Sequence, residues 1–342
     1  MSERRMPADD GLFMPAEWEP HRATWLSWPH NLDTWPGKFE PIPDVWTRLV
    51  ELLAPHEEVN ILAAGDAARQ ASERVGHLAN VVLHDLPTND CWMRDHGPTF
   101  LKSNRGEPPV LVDWGYNAWG GKYPPFDEDN RVPERLAQRL GRRRFEPGII
   151  LEGGSIDING QGSVLVTEQC LLNPNRNPQL SREQIEQYLA DYLACRHVLW
   201  LGEGIVGDDT DGHIDDIARF VGPRTVVAVV ETDPAEENFH LLQDNLRRLQ
   251  SMTDQDGRPL EVETLPMPRP MFHDGQRLPA SYANFYIANR LVVVPVFGQP
   301  ADDEALSTLA KLFPDREVVG QYALDLVWGL GAYHCITQQE PL

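Results

Sequence analysis

Cysteine is scarce: Cys91, Cys170, Cys195 and Cys335 are the four in 342 residues, and none has C-x-x-C spacing. Four are too few to staple a chain of this length, so a disulfide scaffold is excluded and free thiols are the default. Long apolar runs are absent as well. No stretch approaches the ~20 residues of a membrane span, and residues 1–30 hold no run resembling a signal peptide. The expected location is therefore cytoplasmic, with no membrane partner. Basic charge is in deficit, with 30 Lys and Arg against 52 Asp and Glu and a formal net charge of −22. Such a field repels nucleic acid and attracts cations, which argues against a nucleic-acid partner and fits a small cationic substrate. Flexible linkers and low-complexity tracts are missing too, so one domain is expected.

What is present suffices for a large core: 41% of residues are hydrophobic and 10 are Trp. Amphipathic, helix-like segments cover 44–56, 66–79, 129–140, 181–194, 236–250 and 302–313. Several begin with Asp, Ser or Glu, whose side chain meets the unpaired N–H groups of a first turn. Strand-like stretches lie at 58–63, 81–86, 109–113, 164–167, 197–201, 225–230, 291–296 and 317–319. The alternation predicts an α/β fold. Residues 1–12, polar and charged, are expected to be disordered, and 13–342 to form a single domain.

Weak internal repetition sharpens this picture. Residues 154–166, 212–229 and 283–294 share one plan, a polar loop, a strand, a turn and a second apolar strand. Residues 95–112 are a longer version, and the tail Trp328-Gly-Leu-Gly-Ala-Tyr-His-Cys335 reads as a fifth copy cut short. Five such units predict a ring in which the same loop of every unit faces one centre. Hairpins joined by helices also resemble one another by chance, which is the competing explanation.

The equivalent loops hold Cys91-Trp-Met-Arg-Asp95, Glu152-Gly-Gly-Ser, Gly207-Asp-Asp-Thr-Asp-Gly-His213-Ile-Asp215 and His334-Cys335. Together they supply a thiol, an imidazole and several carboxylates. A cysteine with a histidine suits covalent catalysis, the histidine moving protons while thiolate attacks an electrophilic carbon. The surplus carboxylates suit a planar guanidinium, whose fork of N–H donors is matched on two sides. Each element also has a plainer reading. A single cysteine is usually an inert core residue, the aspartates around 208–216 could be a solvated loop or a hard-cation site, and His213-x-Asp215 could lend two metal ligands, without a second histidine at a familiar spacing. Glu152-Gly-Gly could be only a tight turn, and Arg94-Asp95 only an internal ion pair.

Seven ordered segments carry a resemblance. They are Met14-Pro-Ala-Glu-Trp-Glu-Pro-His21, Trp92-Met-Arg-Asp95-His-Gly-Pro98, Leu151-Glu-Gly-Gly-Ser155, the run from Cys170 to Pro178, the run from Gly207 to Asp216, Asn284-Phe-Tyr-Ile-Ala-Asn289 and His334-Cys-Ile-Thr-Gln-Gln339. In order and spacing, from about Met14 to Pro341, they resemble the agmatine deiminases of the bacterial peptidyl-arginine-deiminase-like family. The resemblance implies the pentein fold, a five-bladed α/β propeller of ββαβ units. It implies Cys335 as nucleophile, His213 as acid/base, Asp95 and Asp215 as the carboxylates that grip the guanidinium, and Glu152 as a further carboxylate beside them. It also implies hydrolysis of agmatine to N-carbamoylputrescine and ammonia, with no cofactor and no metal. Asp209 matches a position that often carries Glu in the agmatine enzymes, where it would meet the substrate amine, and Trp92 is the candidate to line the aliphatic chain. The tail departs from the family's Gly-Gly-Gly-Asn before His-Cys. Arginine, peptidyl arginine or another guanidino compound is thus an alternative substrate, and amidino transfer an alternative reaction. A non-catalytic propeller for a cationic ligand and a metal-dependent hydrolase built on the His213 loop are the readings from other classes. A homodimer is the expected assembly.

Overall fold

Thr225–Val230 and Leu291–Val296 are apolar almost throughout, and strands of that kind have to be covered on both faces. In the computed structural model, which describes residues 5–342, they are the central strands of two three-stranded sheets, with both faces buried. The fold is mixed α/β, as the alternation predicts.

Five sheets of three or four strands repeat one pattern. In each, a strand pairs antiparallel with the next, which pairs parallel with a third. Thr99–Ser103, Val110–Val112 and Arg144–Phe145 form one such set, with Leu12–Phe13 added at its edge. Asp157–Ile158, Ser163–Thr167 and His197–Leu201 form the second, and Ala218–Phe220, Thr225–Val230 and Glu261–Pro266 the third. Tyr286–Ala288, Leu291–Val296 and Glu317–Tyr322 form the fourth. A parallel pair needs a crossover, and a helix supplies it each time: Val132–Leu140, Arg182–Leu193, Asn238–Ser251 and Ala301–Leu312.

The fifth sheet draws on both ends of the chain. Gln338–Pro341 pairs antiparallel with His21–Ser27, which pairs parallel with Glu58–Ala63 after the crossover helix Ile42–Leu53. Val81–Asp85 extends this sheet. The repeat that reads as cut short in sequence is therefore completed by a strand more than 300 residues upstream, since Trp25 Nε1 donates to Glu340 Oε2 at 2.9 Å across a separation of 315 residues.

One expectation meets a different outcome. Residues 1–4 lie outside the described residues, but Pro7–Asp10 is a 3-10 helix, not a disordered segment. Pro7 is buried, Asp10 pairs with Arg143 at 2.7 Å, and Leu12 aligns with Ser103 in the first sheet. Polarity alone concealed these anchors.

The largest apolar cluster joins Trp28, Trp35 and Trp46 to the fifth sheet and to the helices around it. Trp46 is fully buried, meets Trp35 edge-on with ring centroids 5.9 Å apart, and donates to the Ser27 carbonyl at 2.9 Å. Removing it leaves a void and an orphaned carbonyl. Trp46→Ala should cost about 3–5 kcal/mol of stability in equilibrium urea unfolding, and a loss below 1 kcal/mol would show that this cluster does not anchor the sheet.

Candidate active site

Each of the five sheets begins with a loop, and four of those loops bring the expected groups together. Asp95 lies in the turn Met93–His96 ahead of Thr99–Ser103. Glu152 precedes the turn Gly153–Ser155 and Asp157–Ile158. His213 and Asp215 lead into Ala218–Phe220, and Cys335 precedes Gln338–Pro341. All five side chains are at most 6% exposed.

The geometry centres on Gly154. A Cβ at this residue would lie 2.5 Å from His213 Nδ1, 2.9 Å from Asp95 Oδ1 and 3.1 Å from Asp215 Oδ2, so only glycine lets these three side chains converge. Gly154 N–H donates to Asp95 Oδ1 at 2.9 Å, and Trp119 Nε1 donates to Asp95 Oδ2 at 3.0 Å. His213 Nδ1 lies 3.8 Å from Asp95 Oδ1, and Cys335 Sγ lies 3.8 Å from Asp215 Oδ2. Asp215 Oδ2 meets His334 Nδ1 at 2.7 Å, but Asp215 Oδ1 and both His213 ring nitrogens have no hydrogen-bond partner among the described residues. Buried polar atoms left unpaired in this way are costly unless a ligand satisfies them.

Burial sets the proton affinities. It pushes Asp95 up to about 6, opposed by the imidazole of His213 and reinforced by Asp215 and Glu152. Burial would also raise Asp215, but the hydrogen bond and charge of His334, then His213 and Arg219, hold it below the ordinary carboxylate range. For His213 burial favours the neutral ring; Asp95, then Cys170 and Asp215, outweigh it and raise the imidazole well above its usual value. The Cys335 thiol is pushed far up, first by burial and then by Asp215, Asp216 and Asp95. The centre thus attracts positive charge and disfavours a free thiolate.

Asp208 is no ion ligand: its Oδ1 accepts from the Thr210 N–H and its Oδ2 from the N–H groups of Gly212 and His213, which fixes the His213 loop. Arg94 does not pair with Asp95. It reaches Gln339 Oε1 at 2.7 Å and Glu17 Oε2 at 3.5 Å, and its backbone N–H donates to the Cys335 carbonyl at 3.1 Å. Among the described residues Glu152, Cys170 and His213 could hold a metal ion, with donor atoms within 4.8 Å of one another. Glu152 is already taken by Arg176 Nε at 2.6 Å, and burial raises the Cys170 thiol, whereas metal binding requires thiolate.

Asp95 and Cys335 open onto a cavity of about 540 Å³ lined by Trp92, Tyr116, Trp119 and Tyr123, with Asp209 on its wall. Trp92 lines this cavity, backed by Trp35 at 5.8 Å between centroids. Asp209 is less available than its position suggests, because Tyr123 Oη donates to its carboxylate and Lys122 Nζ donates to its carbonyl at 2.6 Å. Lys122, the one Lys or Arg among the described lining residues, also pairs with Asp211 at 2.9 Å.

Four site residues escaped sequence reasoning. Trp119 is held in left-handed backbone conformation, φ 53° and ψ 45°, beside Gly120 and Gly121 at φ 93° and 80°. A tryptophan there is strained, and the strain aims its indole at Asp95. The adjacent Gly-Gly was the available signal. Arg176, His334 and Glu17 lie inside quoted motifs, but their role is to neutralise other buried groups, which spacing does not reveal.

Fold and site together define a class. DDAH from Pseudomonas aeruginosa and an amidinotransferase from Microseira wollei match 94% and 96% of this chain with TM-scores of 0.53 and 0.55, at 14% and 11% identity, a likeness of fold alone. More specifically, the chain belongs to the Porphyromonas-type peptidyl-arginine deiminase family, whose sequence model matches residues 13–341. An agmatine deiminase of Ectopseudomonas mendocina is 38% identical over 358 residues, covering 98% of this chain and 97% of its own. The structure of Enterococcus faecalis agmatine deiminase superposes with a TM-score of 0.93 at 36% identity, covering 99% and 98% of the two chains. A cysteine-to-serine variant of C. jejuni agmatine deiminase with substrate bound gives 0.88 at 30%, covering 96% of each.

Gly154→Ala should lower kcat/KM by about 100-fold or more by displacing His213 and Asp95, while the thermal unfolding temperature changes little. Near-normal activity would overturn the convergence around Gly154.

Proposed function

We propose that this chain is an agmatine deiminase, hydrolysing agmatine to N-carbamoylputrescine and ammonia through a covalent amidino-cysteine intermediate. Residues 13–342 act as one catalytic domain folded as a five-bladed α/β propeller, a reading supported by the recurring strand pattern and by the fifth sheet built from both ends of the chain. The observation that carries the function is the convergence of His213, Asp95 and Asp215 around Gly154, with Cys335 Sγ 3.8 Å from Asp215 and with Asp215 Oδ1 and both His213 ring nitrogens unpaired among the described residues.

A guanidinium is resonance-stabilised and weakly electrophilic. Held as a cation between Asp95 and Asp215, it presents its carbon to Cys335 Sγ and offers an N–H donor to Asp215 Oδ1, which has none among the described residues. Its charge also offsets the carboxylates that keep the thiol protonated. The thiol proton passes to solvent, the thiolate attacks the carbon to give a tetrahedral adduct, protonated His213 gives its proton to a nitrogen, and the C–N bond breaks to release ammonia. His213 then takes a proton from water as the oxygen attacks the amidino carbon. Collapse breaks the C–S bond, leaving the ureido product and the thiolate. Glu152, neutralised by Arg176, steadies the loop beside His213.

At the far end Trp92 lines the tetramethylene chain and Asp209 faces the amine, in exchange with Lys122. Arginine fits this cavity less well, since Lys122 is already paired and no arginine lines the wall to meet a carboxylate. The buried unpaired atoms weigh against a purely structural propeller. Four free cysteines among the described residues support a cytoplasmic enzyme, and no helix among those residues is long and apolar enough to cross a membrane. A homodimer completes the proposal.

Incubation with agmatine, arginine and a peptidyl arginine in parallel, reading ureido product and ammonia, should show agmatine preferred; another preference would keep the deiminase class and reject the substrate. Cys335→Ser should stay folded and lose turnover, and retained hydrolysis would sink the nucleophile assignment. In that variant, agmatine affinity measured by calorimetry should fall as pH drops through about 6, because Asp95 is charged above that value and neutral below it. Affinity independent of pH between 5 and 8 would remove Asp95 from the guanidinium site.

A further inference from the structure

The side chain of Lys122 is a run of four methylenes ending in a primary ammonium, the same groups that agmatine carries beyond its guanidinium. It stands on the wall of the cavity onto which Asp95 and Cys335 open. The turn Ala118–Gly121 puts it there, with the Trp119 indole on Asp95 and, further along, Lys122 and Tyr123 against the loop of His213. Lys122 Nζ donates to the Asp209 carbonyl at 2.6 Å and to Asp211 Oδ1 at 2.9 Å, and it lies 3.5 Å from Asp209 Oδ1. Tyr123 Oη donates to Asp209 Oδ2. Oxygens suited to an ammonium are thus met by the chain's own. The other cation of this cluster cannot step aside, because Arg176 is 1% exposed, with Nε on Glu152 Oε1 at 2.6 Å and Nη1 on Asp211 Oδ2 at 2.6 Å. Lys122 can.

We propose that Lys122 is a specificity-determining residue: its ammonium holds the position of the substrate amine and has to leave Asp209 before a guanidino compound with a distal amine is seated. The inference deepens the proposed function, since it rests on Asp209 facing that amine. An ion pair this exposed, 28% for Lys122 and 37% for Asp209, is weak, and the lysine stem is flexible enough to swing away. Exchange is therefore feasible. The incoming ammonium nevertheless meets a carboxylate whose charge Lys122 already offsets. Affinity for amine-bearing guanidino compounds is held down, and affinity for those without an amine is untouched.

The test is calorimetric binding at pH 8 to the full-length Cys335→Ser protein, with agmatine and with butylguanidine, which has the same guanidinium and four-carbon chain and no amine. Adding Lys122→Met, which removes the charge and keeps an unbranched stem, should tighten agmatine binding about fivefold and leave butylguanidine unchanged. Lys122→Arg, which keeps the charge, should bind both ligands as the parent does. The gain in Lys122→Met should shrink as salt rises from about 0.05 to 0.5 M, because charge is screened and packing is not. Agmatine binding that is unchanged or weaker in a folded Lys122→Met protein, checked by circular dichroism, overturns the proposal, and so does an equal change for butylguanidine. Asp209→Asn separates the two readings. If it weakens agmatine alone, the amine faces Asp209 whatever Lys122 does; if agmatine binding is indifferent to it, the Asp209 reading falls and the competition with it.

Discussion

Everything in this fold answers to the problem of burying negative charge. Glu17, Asp95, Glu152, Asp157, Asp215 and Asp216 are all at most 7% exposed, and an ionised carboxylate survives in such surroundings only with a partner. Glu17 is the hub: its Oε2 lies 2.9 Å from Arg219 and 2.8 Å from His334, and its Oε1 accepts the Ile287 N–H at 2.8 Å. Burial would raise it, but Arg219, His334 and Arg94 hold it well below the ordinary carboxylate range. His334 then spans Glu17 and Asp215, so charge near the chain start is tied through the residue directly before Cys335 to Asp215.

The consequence is a graded interior. Away from the Cys335 sulfur, carboxylates are matched to guanidinium groups: Asp157 to Arg219 at 2.5 Å, and Glu152 to Arg176. Beside it, Asp95 has only neutral donors and a histidine 3.8 Å away, and burial lifts its proton affinity. Asp157 and Glu152 are thus neutralised by guanidinium groups, and Asp95 is left without one.

Much of this was legible in sequence. Strands at 58–63, 197–201, 225–230 and 291–296 fall on their expected limits, because β-branched apolar runs bounded by turns leave few options. Helices shift by only a few residues at their ends. Gln338–Pro341 and Glu261–Pro266 were not legible, being polar or charged and defined only by the strand beside them. The same division holds in the site. Cys335, His213, Asp95, Asp215 and Glu152 announce themselves as reactive types in repeated loops, whereas Trp119, Arg176 and Glu17 act through distance, charge and backbone strain, none of which a linear string carries. Residues 5–12 look unstructured until the groove that receives them exists.

The seam between Gln338–Pro341 and His21–Ser27 also orders events in time. Bringing strands together across more than 300 residues is entropically slow, and a chain emerging from the ribosome has its histidine and carboxylates long before its thiol. Four sheets can form while the fifth waits for its last strand. Acquisition of activity should therefore coincide with the final closure step of folding, so that partly made chains carry a cation-attracting interior without a competent nucleophile.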